Sequence, residues 1–150
     1  MKLAQLYEKD YHLWAETNAK LLREGKFAEL DLSKLAEEVE DMAGSQRRQL
    51  SSRLDSLLLH LLKWEFQPSF RSGSWSATID VQREAIARLL RKNPSLKPIV
   101  DGEVADSYPI ALLGASGETG VPKKLFPKTC PYTKEQILDK RFFPKPNPVR

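Results

Sequence analysis

Two histidines, one cysteine and a run of carboxylates are the residue types from which this 150-residue chain can assemble a reactive site. His60 and Trp64 are four positions apart, so on a helix they share one face. An imidazole there, met by Glu37, Glu38 or Asp41 across a helix pair, is the carboxylate-histidine mixture that helical bundles use to hold metals or move protons. The spacing weakens that reading, because the Glu-x-x-His pattern of a di-metal carboxylate site is absent: position 57 is Leu. If one helix carries both groups, Asp41 and His60 stand about 28 Å apart by helical rise, and only a break near Gly44 lets them meet. The plainer expectation is a boundary histidine hydrogen-bonded to a neighbouring helix. His12 falls in the first turn of a helix and has no evident partner.

Cys130 is the single cysteine, so it forms no internal disulfide; it is flanked by Pro131 and lacks a cysteine-enzyme signature. A packed thiol acting as a small hydrophobe is expected. The run G-A-S-G-E-T-G, from Gly114 to Gly120, looks like a phosphate cradle. A P-loop, however, ends in Gly-Lys-Ser/Thr and follows a strand, whereas here a helix precedes and a proline-rich tail follows. The run therefore reads as a helix C-terminus and loop. No G-x-S-x-G nucleophile elbow is present. Arg47, Arg48 and Arg53, with Lys123, Lys124 and Lys128, are the candidates for contact with phosphates or another partner. The acidic block Glu37 to Asp41 just before the arginines would repel a nucleic-acid backbone and can pair with them, so a solvated helix face is the simpler account. No cofactor or metal site is expected.

Helical periodicity supplies the elements that position these groups, and no stretch alternates long enough to make a strand. A first helix is expected from Asp10 to Glu24, capped by Asp10 and ended by Gly25, with Trp14, Leu21 and Leu22 buried and Asn18 beside them. Leu3, Leu6 and Tyr7 leave its start open. Asp31 or Ser33 caps a second helix with Leu35, Val39, Met42, Gln46, Leu50, Leu54, Leu57 and Leu61 at spacings of three and four. It can reach Phe66, continuous or with a kink or break at Gly44-Ser45, and Lys63 points outward. A third helix, capped by Ser74 or Ser76, carries Trp75, Ile79, Arg83, Ile86, Leu89 and Leu90 and ends near Asn93, before Pro94. Ser95 caps a fourth, with Pro98 in its first turn, Pro109 kinking its interior, and Ile99, Val100, Val104, Tyr108, Ala111 and Leu112 buried. Thr133 and Gln136 have capping-box spacing for one short helix in the tail. The three tryptophans sit beside apolar faces and are expected to fill the core.

The expected fold is all-α: one single-domain bundle of about four main helices over 1–150, a helical body to 119 with a basic, proline-rich tail from 120 packed on it. Six of the ten prolines lie in that tail, which carries eight Lys or Arg against two acids; residues 1–119 carry sixteen against eighteen. The net charge of +4 therefore comes from irregular chain and is weak ground for a groove-binding surface. The most apolar segment, Leu54 to Trp64, is interrupted by Asp55, Ser56, His60 and Lys63, which excludes a membrane span. The start lacks the apolar run of a signal peptide, so a cytoplasmic protein is the expectation.

Asp10, Tyr11 and Trp14, the L-D-x-x-x-L-A-E-E-V-E-D block at Leu30 to Asp41, H-L-L-K-W at His60 to Trp64 and the following Q-P occur in this order. Trp75, Ile79, Arg83, P-S-L at Pro94 to Leu96, Tyr108, Glu118-Thr119 and F-P-K-T-C-P-Y-T at Phe126 to Thr133 continue it. In these blocks the chain resembles the bacterial family called domain of unknown function 29. The resemblance implies a helical protein and transfers no catalytic residues. The functional expectation is a protein-interaction or regulatory module without catalysis. The alternatives are a metal-assisted or acid-base enzyme using His60, and a nucleic-acid-binding accessory protein.

Overall fold

The computed structural model describes residues 2–148; Met1 and the last two residues of the basic tail, Val149 and Arg150, lie outside them. Among the described residues there are six α-helices and no strand: α1 (Leu3–Lys9), α2 (Tyr11–Arg23), α3 (Leu32–Phe66), α4 (Gly73–Lys92), α5 (Val100–Thr119) and α6 (Lys134–Leu138). The expected all-α class holds. No described helix is long and apolar enough to cross a membrane. The chain divides into two compact units, Met1–Ser45 and Gln46–Arg150, with α3 spanning the division. That helix is continuous through Gly44, the place where the sequence left a kink or break open.

In the first unit Asp10 does two jobs. Its N–H donates to the Leu6 carbonyl at 2.7 Å, closing α1, and its side chain accepts from the Leu13 N–H at 3.0 Å, opening α2. Its backbone φ of −151° is not helical, so Leu3, Leu6 and Tyr7 belong to a separate helix rather than to an extension of α2. Gly25, at φ +74°, takes the left-handed conformation that ends α2 cheaply only for glycine.

The second unit holds the main core. Leu50, Leu54, Leu57, Leu58, Leu61 and Leu62 of α3 pack with Ile79 and Ile86 of α4 and with Val104, Tyr108 and Ala111 of α5. The expected stripe is therefore buried only from Leu50 onward; Val39 and Met42, which continue it toward the N-terminus, are exposed. Ser72, not Ser74 or Ser76, caps α4 by accepting from the Trp75 N–H. Pro94–Ile99 forms a six-residue 3₁₀ segment in place of a Ser95-capped helix, because Pro94 and Pro98 have no N–H to give an α ladder. Pro109 lies inside α5 without splitting it. The glycine-rich run is helix to Thr119, ended by Gly120 at φ +74°. A Cβ at Gly114 would stand 2.5 Å from Leu59 Cδ1 on α3, so the half-buried Leu59 side chain would have to shift to admit it.

Lys63 corrects another expectation, because it is buried rather than outward. Its ammonium lies 2.8 Å from the Glu118 carboxylate and 4.5 Å from the centre of the Trp75 ring, so its charge is matched from two sides. The described residues of the proline-rich tail are hydrogen-bonded into this unit. Tyr108 Oη donates to the Pro127 carbonyl at 2.6 Å, the Asn147 N–H donates to the Glu65 carbonyl at 2.8 Å, and Thr133 and Gln136 form the expected capping box of α6.

Candidate functional site

The polar chemistry of the first unit gathers around the start of α3. Trp14 is buried, and its indole N–H donates to Asp31 Oδ2 at 2.9 Å. Asn18, also buried, accepts from the Asp31 N–H at 3.1 Å and donates to the Trp14 carbonyl at 2.9 Å. This short relay ties α2 to the first turn of α3 and satisfies every polar group it removes from water.

Glu38 is the second anchor. Tyr7 Oη donates to its Oε1 and Tyr11 Oη to its Oε2, the latter at 2.6 Å. The two phenols hold the Glu38 carboxyl below its ordinary range, Tyr11 more than Tyr7. The Tyr7 phenol is in turn pushed up to about 12, first by its hydrogen bond to Glu38 and then by desolvation and the carboxylate charge. Tyr11 is raised for the same leading reason. Lys34 sits 4.7 Å over the Tyr7 ring and 3.2 Å from Glu37. Two of the carboxylates proposed as catalytic, Glu37 and Glu38, are thus engaged by partners within their own unit. Asp41 is exposed and also engaged.

Beside this anchor lies an open apolar groove of about 550 Å³ lined by Leu22, Leu30, Leu32, Leu35, Ala36, Val39 and Glu40. Leu22, expected in the core, is 47% exposed, Leu32 64% and Val39 60%; Met42, at 67%, extends the stripe along α3. Spacings of three and four between 32, 35, 39 and 42 make one helical seam. Glu40 is the only ionisable lining residue, so the groove offers apolar area rather than acid-base groups. The charge around it is acidic: residues 1–45 carry six Lys or Arg against ten Asp or Glu, a net of −4.

The remaining site residues fall in the second unit. His60 is half-buried, and its Nδ1 lies 2.8 Å from the Ser56 carbonyl. A carbonyl only accepts, so Nδ1 carries the proton and Nε2 is the acceptor in the neutral ring. Among the described residues no group of three or more His, Cys, Asp or Glu is placed to hold a metal ion. His12, expected to lack a partner, has Nε2 3.4 Å from Glu16. Arg47 pairs with the buried Glu103 at 2.7 Å, Arg53 donates to Gln82 Oε1 at 3.2 Å, and Arg48 is engaged as well. Cys130 is half-buried near the Tyr132 carbonyl, and burial pushes its thiol up, away from the reactive thiolate.

Arg83 is the residue whose role the sequence did not disclose. It is 2% exposed and donates to the Ile137 carbonyl from Nε at 2.8 Å and to the Gln136 carbonyl from Nη2 at 3.2 Å. The guanidinium thereby caps the carbonyls at the end of α6, while Nη1 is buried with no hydrogen-bond partner among the described residues. Desolvation lowers its pKa, with Asp139 and Asp80 opposing. A cation inside an apolar stripe of α4 was the available signal, since such a group must find acceptors.

Together these features define an all-α protein with a tightly packed helical core and, in its N-terminal unit, an apolar groove beside an acidic aromatic anchor. Residues 6–143 match the family described as Domain of unknown function DUF29, and the chain belongs to that family. No curated protein and no solved structure matches it.

Proposed function

We propose that the protein is a helical protein-interaction module, and that its docking face is the apolar groove of residues 22–40. The partner is an amphipathic helix whose apolar side fills the groove and whose flanks are basic. The observation that carries this reading is the groove seam in which Leu32 and Val39, two turns apart, stand exposed to solvent with the half-buried Leu35 between them. Burying a Leu or Val side chain fully contributes about 1.5–3 kcal/mol, so covering the seam together with the partner's own apolar side favours association against the entropy it costs. The net charge of −4 around the groove supports the basic flanks, because complementary charge speeds encounter and sets orientation. Helix-in-groove recognition has this form.

The test uses a designed Leu/Lys amphipathic helical peptide, a scrambled control of equal composition, and fluorescence anisotropy. Saturable binding to the amphipathic peptide alone, weakened about tenfold or more by Val39→Asp, is expected, the latter corresponding to about 1.4 kcal/mol or more. Equal binding of the scrambled peptide, or indifference to Val39→Asp, contradicts the proposal. So does a concentration-dependent dimer in sedimentation that Val39→Asp dissociates, since the groove would then be filled by a second copy.

A further inference from the structure

The second unit carries a groove of different chemistry, independent of the docking face. Gln46, Gln49 and Arg53 of α3 and Ala85, Arg88 and Lys92 of α4 enclose about 250 Å³, together with the buried Leu89. On each helix the spacing is three then four, so each set projects from a single face. The lining holds three cations and no carboxylate. On the same helix α3, Arg47 is matched by Glu103 and Lys63 by Glu118. Among the described residues, none of Arg53, Arg88 and Lys92 has a carboxylate oxygen within 4.0 Å. Glu84, whose carboxyl feels Arg88, is held by Lys140 at 2.8 Å and Arg91 at 3.8 Å.

The donors are partly arranged already. Arg53 spends Nη1 on Gln82 Oε1, which orients the guanidinium and leaves further N–H groups for the groove. Gln46 accepts from Asn93 Nδ2 through its Oε1 at 3.3 Å, so its own amide N–H groups remain to donate. Like charges gathered on two helices repel one another, and a bound anion converts that repulsion into attraction.

We propose that this groove binds a small phosphorylated anion, with a diphosphate as the chemical class. Arg88 and Lys92 are one helical turn apart, about 6 Å, so they can address two phosphoryl groups while Arg53 reaches them from the facing helix. The enclosed space admits one small group between two helices. A nucleic-acid backbone needs an extended cationic track. On α4 that track stops within a turn of Arg88, at Glu84, with Asp80 a further turn along.

Calorimetric titration at constant ionic strength with pyrophosphate, sulfate and a short DNA duplex tests the assignment. Pyrophosphate is expected to bind with one-to-one stoichiometry, about tenfold or more tighter than sulfate. The double variant Arg88→Gln/Lys92→Gln weakens it by about tenfold or more, while Lys123→Gln/Lys124→Gln in the tail leaves it unchanged. Both groove residues are exposed, so the double variant keeps its fold, which its thermal melting verifies. No heat with pyrophosphate, equal binding of sulfate, equal loss in the tail variant, or duplex binding tighter than pyrophosphate that the groove variant abolishes would each overturn the proposal.

Discussion

Individual side chains in this protein are used chiefly to satisfy one another. Glu38 accepts from two phenols, and the linkage has a definite sign. Its lowered carboxyl contributes stability that is present above the unfolded pKa, near 4.5, and is lost as pH falls through the folded value. The raised Tyr7 phenol contributes stability that is full below pH 10.0 and is lost as pH rises toward about 12. Ultraviolet titration should therefore show all four tyrosines ionising late, Tyr108 and Tyr132 because of burial, and Glu38→Gln should bring only Tyr7 and Tyr11 back toward 10.0, the ordinary value; an unchanged titration would dissociate these two phenols from Glu38. Arg83 makes the same point in the core. Arg83→Met removes two hydrogen bonds to the end of α6 and should destabilise the protein by about 1–3 kcal/mol in urea unfolding, with no change in the tyrosine titration of Tyr7. Of the residues proposed for catalysis, Glu37 and Glu38 were legible by type but not by partner. A sequence identifies a carboxylate; it does not say that two tyrosines one helix away will occupy both oxygens.

Among the elements, several helix limits were legible because caps are local chemistry, whereas the Ser72 cap of α4 and the start of α5 after a 3₁₀ segment were not. Asp10, Gly25, the Thr133 capping box and the termination before Pro94 all follow from single residues acting on neighbouring backbone groups. The burial of α3 was not legible in the same way. The apolar spacing at 35, 39 and 42 is indistinguishable from that at 50, 54, 57 and 61, and only the presence of other helices decides which part of a stripe is covered. Lys63 was misplaced for the same reason, since Glu118 lies 55 positions away in sequence. The difference along α3 is measurable. Leu57→Ala should cost about 2–5 kcal/mol of unfolding free energy, whereas Leu32→Ala, at a position mostly exposed, should change it by less than about 0.5 kcal/mol. Comparable losses at the two sites would mean that the seam is covered. At the end of α5, Gly120→Ala should destabilise by about 1–2 kcal/mol, because a Cβ is strained at φ +74°; urea unfolding reads this directly.

For the whole molecule, the net charge of +4 conceals two opposite populations. Residues 1–45 carry a net of −4, and residues 46–150, with eighteen Lys or Arg against ten Asp or Glu, carry +8. A division of the charge at residue 120 hid this, because it followed the prolines rather than the compact units. The split gives the two proposed sites opposite preferences: a basic helix for the apolar groove of the N-terminal unit and a phosphorylated anion for the groove between α3 and α4. Salt should accordingly weaken both interactions, and substitutions in one unit should leave the ligand of the other unaffected. The central claim, that exposed apolar side chains at the start of α3 form the docking face, is tested most directly by an amide NMR titration with the Leu/Lys peptide. Perturbations concentrated at Leu22, Leu32, Leu35 and Val39, and absent in Val39→Asp, are predicted. Perturbations confined to residues after Gln46, or none at saturating peptide, would contradict it.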